Sequence, residues 1–187
     1  MKKLIALAAL SLTALVASAD MKIGTVNLML LIRNHPNYES NKELLTATDK
    51  DYQKKVDAIK SEGEKLQDEA KKLAEQYRNP MLADKAKADL EKQVMEMQQK
   101  LISVEQRYRA EVTRCRQDLQ DLESRLLKAT TEDLRKRLAK FAEAKDYDLI
   151  VDKTAAPFAK PSLDVTDEVL KEMGVEPKDA KGRDENK

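Results

Sequence analysis

The chain has 187 residues, enough for one ordinary domain. Charged residues make up 37% of it and aromatic residues 4%, with four glycines and no tryptophan, which is typical of long helices rather than of a compact globule. The formal net charge of +1 is too small to indicate a nucleic-acid partner.

Residues 1–19 have the pattern of a secretory signal peptide. Lys2 and Lys3 form a positive start, and residues 4–16 are an apolar core that is too short to span a bilayer comfortably. Residues 17–19 (ASA) form a cleavage site, although a short membrane anchor is the alternative. Cleavage there would remove two positive charges and leave a net charge of −1. The pattern therefore predicts a compartment outside the cytoplasm, without stable membrane insertion.

Two short segments have the composition of β-strands, one near each end of the chain. They are residues 22–28 (KIGTVNL) and residues 147–151 (YDLIV). Residues 28–32 are strongly apolar and predict a short helix that ends before Pro36. His35 is the single histidine of the chain and is interpreted as a loop residue.

Residues 42–145 predict a long helical hairpin. Apolar residues recur at alternating steps of three and four, in one stripe over residues 52–77 and another over residues 90–126. Cys115 lies on the second stripe and is the single cysteine, so no disulfide can form within the chain. We interpret it as a small buried hydrophobe rather than as half of an intermolecular disulfide.

The tip of this hairpin is predicted at residues 78–80. Asn79 is a good helix cap, and Pro80 is tolerated at the first position of a helix but not inside one. One helix would then run over residues 42–77 and a second over residues 81–144. The second arm would extend past the start of the first by more than 20 residues.

After the hairpin the pattern becomes shorter and less regular. A final short helix is predicted over residues 167–173, capped by Asp164 or Thr166 and ended by Gly174. Residues 175–187 are mostly charged and are predicted to be disordered.

These elements predict a mainly α (α+β) fold. A long antiparallel helical hairpin, or coiled coil, would project from a small β-rich body formed by residues 20–41 and 146–174. A body of this size without a disulfide or a metal site would be marginal by itself, so we expect it to oligomerise. The residues expected to form this oligomerisation body are Ile23, Val26, Leu28, Leu149, Ile150, Val151, Val169 and Leu170.

The sequence contains no recognisable catalytic constellation. A lone histidine and a lone cysteine cannot make a metal site, and no glycine-rich phosphate loop or nucleophile elbow occurs. We therefore predict a protein that is not an enzyme and has no cofactor and no metal.

Two groups of residues on the hairpin are candidates for binding. The first is two adjacent rows of arginines, for which the alternative is ordinary surface charge balanced by nearby carboxylates. The second combines the flexible Met95 and Met97 with Tyr52, Tyr77 and Tyr108. The alternative is coiled-coil seam packing, which is favoured for the stripe residues Met97, Tyr52 and Tyr108 but does not explain the off-stripe Met95. The candidates are Tyr77, Met95, Met97, Arg107, Arg109, Arg114 and Arg116.

The order and spacing of the short segments resemble the periplasmic chaperones of the Skp/OmpH family. The resemblance rests on residues 23–27 (IGTVN), 148–152 (DLIVD) and 164–173 (DVTDEVLKEM), while the hairpin matches in kind only. It implies a homotrimer in the periplasm whose hairpins surround a cavity. Unfolded outer-membrane β-barrel proteins would be held in that cavity without ATP. The alternatives are a secreted coiled-coil spacer with one fixed partner and, less favoured by the charge, a polyanion binder.

Overall fold

The structure is a computed structural model that describes residues 21–177 and residue 180. The predicted signal peptide and most of the predicted disordered tail lie outside these residues. The chain forms strand β1 (Ile23–Val26), helices α1 (Leu28–Arg33), α2 (Tyr38–Tyr77) and α3 (Asp84–Ala144), strand β2 (Leu149–Asp152) and helix α4 (Thr166–Glu172), with 3-10 turns at Lys153–Ala155 and Pro161–Leu163. The predicted mainly helical fold with a small β part is confirmed.

Helices α2 and α3 form the predicted hairpin because their apolar stripes face each other. They have 40 and 61 residues, or about 60 Å and 92 Å of helix. Met97, Val104 and Cys115 are buried along the seam, and most other stripe residues are half-buried. Burial, with a smaller effect from Glu111, raises the pKa of the Cys115 thiol. The thiol is therefore protonated and buried, as expected of a small hydrophobe.

The tip of the hairpin differs from the prediction. Helix α3 begins at Asp84 instead of residue 81, and no side chain caps it. The Asn79 side-chain oxygen instead accepts a hydrogen bond from the backbone N–H of Met81 at 3.0 Å. This local bond stabilises a turn, which is the common alternative use of an asparagine before a proline. The turn leaves Met81 90% exposed at the end of the arm.

The body contains a two-stranded parallel sheet. Ile23 pairs with Leu149 and Val26 with Asp152, so the strands join residues 126 positions apart in sequence. Side chains alternate between the two faces of such a sheet. One face holds Val26 and Ile150 and packs on the core. The opposite face is formed by Ile23, Thr25, Leu149 and Val151. Thr25 is only 3% exposed, so we use the name open sheet face for the surface of Ile23, Leu149 and Val151.

The core of the body is built around the part of α3 that extends past α2. Phe141 is 1% exposed, and its ring stacks on Tyr147 with centroids 5.8 Å apart. Leu134 from the same helix is also fully buried in this core. The remaining buried members come from β1, α1, α4 and the segments beside α4: Val26, Leu30, Leu31, Val165, Val169, Leu170 and Ala180. Val26, Val169 and Leu170, three of the residues predicted to form the body, thus belong to its core and are covered by their own chain.

The chain after α4 begins as part of the body. Gly174 adopts φ +79°, as its predicted role at a helix end requires. The backbone N–H of Val175 then donates to the Leu170 carbonyl at 2.9 Å, and Ala180 is 7% exposed within the core. The apolar side chains of Val175 and Ala180 therefore pack with the core of the body.

His35 lies in the loop between α1 and α2, as the sequence suggested, but its side chain is buried and hydrogen-bonded. Its side chain is 3% exposed, and Nε2 lies 2.9 Å from Oδ2 of Asp133 on α3. Its Nδ1 accepts the backbone N–H of Asn37 at 3.2 Å, so Nε2 carries the hydrogen that is donated to the carboxylate. The Asp133 oxygen also accepts from Arg137 Nε at 2.7 Å. We call these contacts the base clasp, because they tie the start of α2, at Tyr38 rather than residue 42, to α3.

The base clasp predicts a pH-dependent contribution to stability. The hydrogen bonds from Arg137 and His35 lower the pKa of Asp133 to about 2. A carboxyl whose pKa falls on folding stabilises the folded state above its unfolded value of about 4, and this contribution is lost as the pH falls towards 2. Because the Asp133 side chain is 43% exposed, solvent screens the charges, and we expect Asp133→Asn to cost about 1 kcal/mol at pH 7.

Urea unfolding at several pH values between 7 and 3 would measure this cost. The difference between Asp133→Asn and the unsubstituted protein should shrink as the pH falls below 4, because Asp133 then takes up a proton in the unfolded chain while it is still ionised in the folded one. Glu123→Gln, at an exposed position of the same helix, is the matched control and should change little at any pH. A cost that stayed constant down to pH 3 would show that the charge of Asp133 is not responsible.

Candidate functional site

One flank of the hairpin carries a long apolar groove. Its residues on α3 recur at helical spacing, so they lie on one face of that helix and next to its seam with α2. Two adjoining spaces of about 320 Å³ and 530 Å³ make up the groove. We call it the arm groove and define it by Gly63, Tyr77, Met95, Leu101, Ile102 and Tyr108.

The arm groove exposes large apolar side chains. Met95 is 63% exposed, Ile102 is 56% exposed and Tyr108 is 36% exposed. Met95 and Ile102 are seven residues apart and therefore lie one above the other on α3. On α2, Gly63 borders the space lined by Ile102 and Tyr108 and contributes no side chain to it. Such a group of exposed apolar residues on a charged helix is a candidate contact surface for another polypeptide.

The end of the groove near the tip is fixed by polar contacts. The hydroxyl of Tyr77 donates to Glu91 Oε1 at 2.7 Å, and the Lys87 ammonium lies 5.4 Å from the centre of the Tyr77 ring. The hydrogen bond to Glu91, with burial as a smaller cause, raises the pKa of Tyr77. The Tyr77 phenol therefore stays neutral, and its ring lies beside Met95 at this end of the groove.

The arginine candidates are mostly paired within the chain. Arg107 contacts Glu62 on α2 at 3.0 Å, Arg109 pairs with Glu105, and Arg114 lies 3.7 Å from Asp118. Arg116 makes no ion pair with the residues that the structure describes. These contacts leave little unbalanced positive charge on this part of the arm.

Of the sequence candidates, the structure brings Tyr77 and Met95 together in the groove. Met97 is 8% exposed and belongs to the seam, in agreement with the alternative interpretation. Sequence reasoning missed Ile102, which lies one position after the stripe residue Leu101. The available signal was its spacing of one heptad from the off-stripe Met95.

The open sheet face is a second exposed apolar surface. Leu149 is 46% exposed there, and Ile23 and Val151 are half-buried. Parallel strands are normally covered on both faces. Among the described residues, β2 has β1 on one side and no strand on the other.

Other kinds of site are not found in the described residues. No group of histidine, cysteine, aspartate and glutamate there could hold a metal ion. Within residues 21–177, no helix is long and apolar enough to cross a membrane.

Comparisons with known proteins connect this architecture to a family. The family described as outer membrane protein (OmpH-like) matches residues 22–173. A crystal structure from Caulobacter crescentus CB15, described as an OmpH-like outer membrane chaperone, has a similar fold, with a TM-score of 0.57 and 17% sequence identity. The similarity covers 82% of this chain and 83% of that one. No curated protein matches the sequence. The extent of the family match shows that this chain belongs to the OmpH-like outer membrane protein family.

Proposed function

We propose that this protein is a periplasmic holdase chaperone that works without ATP. Its clients would be unfolded outer-membrane β-barrel proteins, held between the arms of a homotrimer so that they do not aggregate. The observation that carries the proposal is the exposure of Met95, Ile102 and Tyr108 on the flank of a long charged hairpin. Family membership and the chaperone description of the similar structure support the same function.

The open sheet face supports assembly. A two-stranded sheet is marginal in water, and Leu149 leaves an apolar patch on the body beside an unpaired strand edge. A second and a third copy could cover this face and extend the sheet. Assembly would also set several arms around one client.

The arms suit capture that is reversible. Each arm groove offers a few partly exposed apolar contacts, and flexible methionines adapt to different partners. A single contact of this kind is weak, but several arms on one body raise the effective concentration of sites around a client. Many weak contacts permit release without a nucleotide. The predicted signal peptide agrees with a location outside the cytoplasm, where such release is needed.

Dilution of an unfolded β-barrel client from urea tests the function. In the presence of the mature protein we expect light scattering by the client to be suppressed at about one trimer per client, because the arms cover its apolar segments. A helical protein of similar charge would be the control. If several β-barrel clients aggregate as fast with the protein as without it, the holdase proposal is wrong and a spacer with one fixed partner becomes the better explanation.

A further inference from the structure

We propose that the arm groove binds extended chain segments whose apolar residues occupy alternate positions, as in a transmembrane β-strand. This inference rests on the proposed function and specifies which part of a client the arm recognises. Its evidence is the length of the groove, its one-sided apolar surface and the internal pairing of its charges.

The length of the groove fits one strand. From Glu91 to Tyr108 the groove follows α3 for 17 residues, or about 26 Å. An extended chain rises about 3.3 Å per residue, so about eight residues fill this length. Transmembrane β-strands have about 9–11 residues. One groove therefore accommodates most of one such strand.

The apolar contacts of the groove come mainly from one helix. Met95, Ile102 and Tyr108 all belong to α3, whereas α2 contributes apolar side chains only near the two ends, Ile59 and Tyr77, with Gly63 and polar residues such as Gln67 between them. A third helix would need apolar side chains from both helices to pack its knobs into holes. An extended chain is narrower than a helix and can bind along a single row of apolar side chains. The missing side chain at Gly63 gives the backbone of such a chain room to approach.

Most charged side chains at the rim are already paired or hydrogen-bonded within the chain. Lys60 lies 3.9 Å from Glu64, Arg109 pairs with Glu105, and Glu91 accepts the Tyr77 hydroxyl. A charged segment would therefore gain little from the groove. A strand with alternating residues would turn its apolar side chains onto α3 and its uncharged polar side chains to water. The groove would therefore select client segments by the alternation of their apolar residues as well as by their overall hydrophobicity.

Binding of two short labelled peptides to the mature protein tests the proposal. One ten-residue peptide alternates valine and threonine, and the other has the same composition arranged as one apolar block and one polar block. Fluorescence anisotropy should show at least about five-fold tighter binding of the alternating peptide. Met95→Ser combined with Ile102→Ser should weaken that binding about ten-fold, since both substitutions remove apolar surface from the groove.

The chain provides a matched control and an independent variant. Leu127→Ser removes a 51% exposed leucine from α3 outside the groove, and binding should stay within two-fold of the unsubstituted protein. Gly63→Leu should weaken binding by filling the groove. A Cβ atom added at this position would lie 3.4 Å from Cγ1 of the seam residue Val104, an ordinary contact, and within 4 Å of no other side chain in the described residues.

Several results would overturn the proposal. Equal binding of the two peptides, or equal losses for Leu127→Ser and the groove variants, would show that the groove does not recognise alternation. Tighter binding of a helical heptad peptide would assign the groove to a helix instead. In these cases suppression of client aggregation could persist, so the holdase function would stand. Loss of suppression in the unsubstituted protein would instead contradict the proposed function.

Discussion

Phe141→Ala should destabilise the protein by about 3–5 kcal/mol, which is enough to unfold a body of this size. The ring is 1% exposed at the point where the extension of α3 meets both ends of the chain. Its removal leaves a cavity and also ends the stacking on Tyr147 at 5.8 Å. Urea unfolding followed by circular dichroism at a fixed protein concentration would measure the loss.

The other phenylalanine of the chain is a natural control for this prediction. Phe158 is 81% exposed, and Phe158→Ala should change the free energy of unfolding of the chain by less than about 0.5 kcal/mol. If both alanine variants unfold at the same urea concentration, Phe141 does not hold the body together. A loss restricted to Phe141→Ala would identify the α3 extension as the centre of the fold.

Leu149→Asp should convert the proposed trimer into single chains. The side chain lies on the open sheet face, where the proposed trimer would cover it. Burying a carboxylate without a partner costs several kcal/mol, whereas in a single chain the same carboxylate remains in water. Sedimentation should therefore show a mass three times that of the chain for the unsubstituted protein and one chain mass for the variant.

Leu127→Asp provides the comparison for the assembly prediction. Leu127 is similarly exposed but lies on the hairpin, so the variant should keep the full mass. A monomeric unsubstituted protein at micromolar concentration, or an unchanged mass for Leu149→Asp, would contradict assembly through the open sheet face. Client holding by Leu149→Asp should fall together with its mass, because one arm alone has few contacts.

The helical part of this fold could be predicted well from the sequence. Steps of three and four in apolar residues predict two helices with facing seams, and every residue of the two stripes is buried or half-buried except Tyr108. The helix starts were less certain, because Asn79 can stabilise either a helix start or a turn. Local sequence does not decide between these uses.

The pairing of the ends and the location of the surfaces were harder to predict. Both strands were expected, but no local pattern states that Ile23 pairs with Leu149 in parallel. Likewise, no local pattern distinguishes an apolar residue that its own chain buries, such as Leu170, from one that is exposed and could contact another copy of the chain. His35 was missed for a similar reason, since its partner Asp133 is 98 residues away.

The parallel pairing of β1 with β2 also has a consequence for the order of folding. Closing a loop of 126 residues in an unfolded chain is slow and costs conformational entropy. The hairpin can form first from contacts between helices that follow one another, and the base clasp then holds His35 against Asp133. Once the hairpin has formed, only the short segments that connect it to β1 and β2 must be ordered before the strands can pair. The hairpin arm, which we propose holds unfolded clients, therefore has a second role in folding. It brings together the two segments that form its own body.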